Sequence, residues 1–381
     1  MYILMVSRGY PNQRDPQWGC FEKDQAEALA QYGHKVVMLS VDSRFRFYWR
    51  RPGIQFSLQN NIPTYNIFII PGAISSLFFG KRVNARLKAW QLDRIYQKAV
   101  KQYGKPDIFY SHYLPTTQIA THLKQKYNIP LVGIEHWSEM GYNPIQPNII
   151  PIAQYTYRHI DQLLTVSSAL QKNIQEQLQI TSLVVHNLVD KEFAYKPSTP
   201  HPFTFVSTGS LIHRKGFDLL PIAFSKVKDI LPHDWQMIII GGGKEQANLQ
   251  QQINESGLQD HIRLLGQKTK TEITSLLQNS DVFILPSHRE TFGVVIIEAL
   301  ACGLPAISTI CGGPEEIITD RNGILVPVND ANALAEAIKK MVSTYSTYDH
   351  QAIAEDCQAR FSPKVIAQQL TDIFQQVISS Q

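Results

Sequence analysis

Cysteine is scarce in this sequence. There are four in 381 residues (Cys20, Cys302, Cys311 and Cys357), with no C-x-x-C pair among them. That scatter excludes a disulfide frame and a cysteine zinc site, and it fits buried thiols in a reducing compartment. Long apolar runs are missing as well. A membrane span needs about 18 uninterrupted apolar residues, and the nearest stretch, 65–80 (YNIFIIPGAISSLFFG), is broken by Pro71 and Gly72. The opening MYILMVSRGYP is short for a secretory leader and lacks a small-residue cleavage site. It reads as a first buried strand, and the chain is expected to be cytoplasmic. No internal repeat and no low-complexity tract is present, which excludes solenoid and propeller architectures.

What is there suits two α/β domains. The chain is long for one core, and its 44% apolar content is that of a globular protein. Residues 1–185 carry 20 Lys+Arg against 11 Asp+Glu, while 186–381 carry 16 against 21. A basic half joined to an acidic half suggests that the first faces something anionic. YILMVS, then GCFEKDQAEALAQYG, then HKVVMLSVD reads as strand, helix, strand, with Phe21, Gln25, Ala28 and Leu29 at helical spacing and Gly33 as a C-cap glycine. The alternation continues to about residue 188 and restarts at FTFVSTGS.

The expected organisation is a first domain over 1–188, a proline-rich linker over 189–202 and a second domain over 203–360. Residues 361–381 are expected to form a helix returning to the first domain. Strand–helix alternation implies two doubly wound parallel sheets, whose ligands sit at the carboxyl ends of the strands.

Three strand ends in the second half draw the eye. FTFVSTG is followed by SLIHRKGFDLL, which puts Arg214 and Lys215 in a strand-to-helix loop, with a helix expected from about Gly216. Two cations beside a helix N-terminus can hold a phosphate or diphosphate, and two solvated loop cations are the plain alternative. IIIGGGKEQ ends a strand in three glycines but does not spell G-x-G-x-x-G. The third is 284–303, ILPSHRETFGVVIIEALACG, with Glu290 and Glu298 eight residues apart. A helix starting near Phe292 places Glu298 roughly 9 Å along its axis from the Glu290 loop. That span fits two hands on one extended ligand better than two ligands of one metal, and no His/Cys cluster supports a metal. The spacing alone also fits two unrelated surface charges.

Taken in order, GSLIHRKG, IIIGGG, LPSHRETFGVVIIEALACGLPAIST and GGPEEIITDRNGILVP resemble the family-4 retaining glycosyltransferases with the GT-B fold, the group 1 glycosyltransferases. WGCFEKDQAEALAQYGHKVVML, PDIFYSH, GIEHWS, LLTVSS and VVHNLVD carry the likeness through the first half. The resemblance implies two Rossmann-like domains facing across a cleft, and transfer of a sugar from a nucleoside-diphosphate sugar to an acceptor hydroxyl with retention. It implies no cofactor beyond that co-substrate and no metal.

By position, Glu298 would take the ribose hydroxyls and Glu290 the donor sugar, with Thr291, Phe292, Gly293 and Val294 presenting backbone to sugar and diphosphate. Lys215 would neutralise the diphosphate, Gly19 would approach it from the N-terminal loop, and Gly266 and Gln267 would read the base. His136 would line the catalytic centre with Glu290 and Lys215. Ser210 stands where the family usually has an arginine, and Arg214, four residues on, is the candidate to reach the same space. His112, His186, Glu315 and Glu316 keep a structural reading.

The acceptor side falls to the basic half. SRFRFYWRR interleaves Arg44, Arg46, Arg50 and Arg51 with aromatics including Trp49, and GKRVNARLKAW adds Lys81 and Arg82. Cations among aromatics suit the headgroups of an anionic membrane at its cytoplasmic face, or a lipid-linked or glycan acceptor. A solvated loop is the alternative, and nucleic acid is disfavoured by the acidic second half. The expected role is cell-surface polysaccharide or glycolipid assembly. The rivals are an epimerase or phosphorylase on the same fold, or a catalytically silent GT-B scaffold subunit.

Overall fold

A computed structural model describes the chain except residues 13, 16, 17, 45–49, 52, 70, 71, 198, 199 and 381, and except the side chains of 72–82. It divides into two compact units, Met1–Asn187 with Pro363–Gln381, and Leu188–Ser362. The first runs β1 (Tyr2–Ser7), α1 (Cys20–Gln31), β2 (Lys35–Asp42), β3 (Gly53–Gln59), β4 (Ile62–Phe68), α2 (Gly72–Tyr103), β5 (Ile108–His112) and α3 (Leu114–Tyr127). It continues through β6 (Leu131–Glu135), α4 (Ile150–Arg158), β7 (Gln162–Thr165), α5 (Ser168–Leu178) and β8 (Leu183–Val184).

Its sheet has the order β3-β4-β2-β1-β5-β6-β7-β8. Every pairing is parallel except that of β3 with β4. All six residues of β1 are buried, as an unbroken apolar run between two helical layers requires. Helix α1 closes as read. Gly33, at φ 101, lets His34 N–H reach Leu29 O and its own N–H reach Ala30 O, which satisfies the last carbonyls. The β3–β4 edge hairpin was not anticipated. Its turn residues, Asn60 and Asn61, have φ of 47 and 65, the left-handed pair that a two-residue hairpin needs.

The second unit runs β9 (Thr204–Thr208), α6 (Leu219–Val227), β10 (Gln236–Ile240), α7 (Gln246–Glu255), β11 (Ile262–Leu264), α8 (Lys270–Gln278), β12 (Val282–Leu285), α9 (Val294–Ala301), β13 (Ala306–Thr309), β14 (Gly323–Val326), α10 (Ala331–Thr344) and α11 (His350–Phe361). Its sheet, β11-β10-β9-β12-β13-β14, is parallel throughout. The described part of the segment 189–202, read as a linker, lies within this unit. Asp190 pairs with Lys270 at 2.6 Å, and Ala194 O accepts from Gln278 at 2.7 Å, so hydrogen bonds to α8 fix it despite its prolines. The last helix, α12 (Pro363–Ser379), belongs to the first unit and packs on α1, with Thr371 Oγ1 2.7 Å from His34 Nε2.

Among the parallel strands of each sheet the order reverses at one place, between β1 and β5 and between β9 and β12. Loops leaving adjacent strands there diverge to opposite faces and open a crevice. In the second unit, glycines let the strand-end loops touch. A Cβ on Gly241 would sit 1.8 Å from Gly209 O, and one on Gly243 2.2 Å from Leu211 O. Two of the three glycines of IIIGGG, Gly241 and Gly243, therefore let loop pack against loop. Gly241→Ala adds a backbone clash at φ 141; it should destabilise the second unit by about 1–3 kcal/mol, read as a lowered urea midpoint.

Candidate functional site

In the second unit the residues of interest gather at the reversal point. After β9 the chain makes a 3-10 turn, His213–Lys215, which ends at Gly216 with φ 62. Helix α6 starts only at Leu219, three residues later than the expected Gly216, because Gly216 turns left-handed and Asp218 takes the N-cap position. The two cations thus lie in the turn and not at the helix end. Gly216 packs against the loop after β12: a Cβ there would meet Pro286 O at 2.1 Å. His288 N–H donates to Arg214 O at 2.9 Å, closing the two loops together.

That closure brings Lys215 Nζ to 2.5 Å from Glu290 Oε1. Ser287 Oγ donates to the same oxygen at 2.6 Å, and Arg214 Nη1 lies 4.0 Å from Oε2. Arg214 also donates to Arg289 O, and Ser210, where the family usually has an arginine, is exposed. Glu290 is only 8% exposed. Burial pushes its carboxyl pKa up, but the Lys215 charge, hydrogen bonds from Lys215 and Ser287, and the Arg214 charge outweigh this and hold it below the usual carboxylate range.

The loop after β13 completes the seat. Glu290 N–H donates to Cys311 O and Gly313 N–H to Glu290 O, and Glu315 accepts from Gly312 N–H at 3.0 Å. Phe292 is buried against Phe361, and Gly293, at φ 106, starts α9. The amides of Gly293 and Val294 stand at that helix's N-terminus, Thr291 precedes them, and Glu298 lies partly exposed one turn into α9. Gly266, at φ 68, accepts from Gly241 N–H at 2.9 Å. Exposed Gln267 follows it, two strands over from β9, which is about 10 Å.

Beside the reversal point of the first unit, one strand beyond β5, lies His136, immediately after β6. His112, given only a structural reading, lies beside it: Nδ1 is 3.2 Å from His136 Nε2, and the rings stack 5.2 Å apart with 5° between their planes. Burial, then Arg8, pushes the His112 pKa down to about 3. Burial, then His112, drives that of His136 well below its ordinary value, with Asn187 hydrogen-bonding its ring. Both rings are neutral near pH 7, so one nitrogen of the facing pair donates to the other. Arg8, which pairs with buried Glu22 at 2.7 Å, lies 3.7 Å over the Tyr113 ring. Tyr113 has φ 66, a strained conformation for an aromatic residue, and its ring is 5.0 Å from that of His136. Gly19, φ 81, is the N-cap of α1, and a Cβ there would meet Gly9 O at 2.2 Å.

The basic–aromatic stretch departs from expectation. Arg44 grips Asp42 through two nitrogens and Asp15 through a third, over the Trp18 ring at 3.3 Å. Arg50 also pairs with Asp42, at 2.7 Å. A carboxylate at the end of β2 thus draws both guanidinium groups back onto the fold, leaving Arg51 exposed. Arg46 and Trp49, and the side chains of Lys81 and Arg82, lie outside the described residues.

Known proteins resemble the chain over nearly its whole length. The family described as Glycosyl transferases group 1 matches residues 189–355, and Glycosyltransferase Family 4 matches 23–193. Glycogen synthase of Mycobacterium tuberculosis is 26% identical, over 93% of this chain and 89% of its own. Among solved structures, sucrose-phosphate synthase from Thermosynechococcus elongatus superposes with a TM-score of 0.80 at 19% identity, covering 100% of both chains. Anabaena HepE in complex with UDP-glucose gives 0.72, also at 19% identity and 100% of both.

The lowered Glu290 pKa means that its ion pair stabilises the fold above the ordinary glutamate pKa, and that this is lost as pH falls through the lowered folded value. Lys215→Ala removes the main partner of a buried carboxylate and should destabilise by about 3 kcal/mol at pH 7.5. Urea titrations should show the penalty shrinking at pH 5, where the variant's Glu290 takes up a proton. A pH-independent penalty would assign the loss to lysine packing instead.

Proposed function

Because the chain belongs to the group 1, family-4 glycosyltransferases with the GT-B fold, we propose that it moves a sugar from a nucleoside-diphosphate sugar to an acceptor hydroxyl, with retention at the anomeric carbon. The observation that carries this reading is the Lys215–Glu290 pair, with Arg214 beside it, at the β9/β12 reversal point. Loops at such a point, with two cations on one side and a helix N-terminus on the other, suit a diphosphate. HepE, with the same fold, holds UDP-glucose, which supports a donor of this class.

In this reading Lys215 and Arg214 take the charge that grows on the leaving diphosphate, assisted by the Gly293 and Val294 amides. Arg214 supplies the guanidinium that Ser210 lacks. Glu298 accepts from the ribose diol, Gly266 and Gln267 meet the base, and Glu290 orients the donor sugar. No residue in the scheme needs a metal. In the first unit, neutral His136, backed by His112, is the residue assigned to line the catalytic centre, and Gly19 lets the start of α1 lie close to Gly9 O. The glycogen synthase likeness supports a glycan acceptor in polysaccharide assembly. Peripheral contact with an anionic membrane would draw on exposed Arg51.

Thermal shift against UDP-, GDP-, ADP- and CMP-sugars tests the donor site. One nucleotide class, at 100 times its Kd, should stabilise the chain by about 2.7 kcal/mol. Lys215→Ala should lose most of that shift. Slow release of the nucleoside diphosphate without acceptor should accompany binding. A shift without release, with or without glycan acceptors, would favour a scaffold subunit. No shift with any nucleotide would remove the donor reading.

A further inference from the structure

Three side chains beside the Lys215–Glu290 pair are left unused by the proposed chemistry. His213 starts the 3-10 turn after β9, Asp218 stands at the N-cap of α6, and His288 lies in the loop after β12. One ligand atom from each lies within 4.8 Å of the other two. We propose that His213, Asp218 and His288 form a binding site for a divalent transition metal of the zinc class, which ties the β9 loop to the β12 loop.

Among the described residues, no hydrogen bond claims these three side chains. Asp218 occupies a cap position, yet its carboxylate makes no cap hydrogen bond to α6. His288 Nδ1 is buried without a hydrogen-bond partner among the described residues, and the rings of His213 and His288 stand 5.0 Å apart. A cavity of about 50 Å³ lies against His213 and Asp218, large enough for metal-bound water, and its wall includes Gln252, whose Oε1 is also buried without a partner.

Two imidazoles and one carboxylate select zinc, nickel or cobalt over magnesium or calcium. Bonds of about 2.0–2.1 Å in a tetrahedral site put donor atoms roughly 3.4 Å apart. Exposed His213 can swing to close the present gap. The site also has leverage. His213 is two residues from Lys215, His288 is two from Glu290, and His288 N–H already bonds Arg214 O. A bound ion would fix the loops that set the Lys215–Glu290 distance.

The proposal stands apart from the donor reading, since metal binding is measured directly on the full-length chain without nucleotide. Cobalt titration, followed by visible absorption and competed with zinc, should give one saturable site, and zinc should raise the melting temperature. His213→Ala, at an exposed position, and Asp218→Asn should each keep the metal-free melting temperature and weaken binding by about tenfold or more. Absence of saturable binding would overturn the proposal. So would equal affinity in both variants, which would assign the metal to groups elsewhere, such as the thiols.

Discussion

Glu290 is a carboxylate taken almost wholly out of water, and an isolated buried charge costs several kcal/mol. The fold meets that cost with Lys215, Ser287 and Arg214, all aimed at one side chain. Those partners come from loops after two different strands, so the pair exists only if the loops nearly touch. Gly216 against Pro286 O and Gly313 against Phe292 O permit it, since a Cβ at either would lie 2.1 and 2.2 Å from the carbonyl oxygen, far inside van der Waals contact. The glycines, the left-handed turn and the delayed start of α6 are thus consequences of one constraint. A charge pair has to be held at the carboxyl ends of two central strands of a parallel sheet.

The two units solve the same topological problem with opposite electrostatics. At the β9/β12 reversal the groups are ionised and paired, as befits a seat for a charged ligand. At the β1/β5 reversal the nearby imidazoles are pressed neutral by burial. The charge there belongs to the Arg8–Glu22 pair, whose guanidinium lies against Tyr113. A neutral, hydrogen-bonding surface suits hydroxyl groups, and a cationic one suits phosphate.

The sheets and most helices were legible because period and punctuation agree: YILMVS is apolar throughout, and Gly33 ends α1 where a C-cap glycine belongs. The hairpin of β3 and β4 is less legible because β3 is an edge strand that buries none of its residues, although Asn60-Asn61 is a turn signal. The basic–aromatic pattern places Arg44 and Arg50 on the acceptor or membrane side, or in a solvated loop. Nothing local says that Asp42, at the end of β2, would gather both. His112 likewise gained its neighbour, His136, only through the pairing of β5 with β6. His213, Asp218 and His288 form no motif, because about 70 residues separate the last from the other two and only the β9–β12 pairing joins them.

The central claim is that the Lys215–Glu290 pair is the resting state of a diphosphate seat. The most direct measurement is an experimental structure of the chain with a nucleoside diphosphate bound. The account predicts the diphosphate within hydrogen-bonding distance of Lys215 Nζ and of the Gly293 or Val294 amide, with the ribose at Glu298. A nucleotide bound elsewhere, or one that leaves Lys215 turned wholly to Glu290 without touching phosphate, would contradict it.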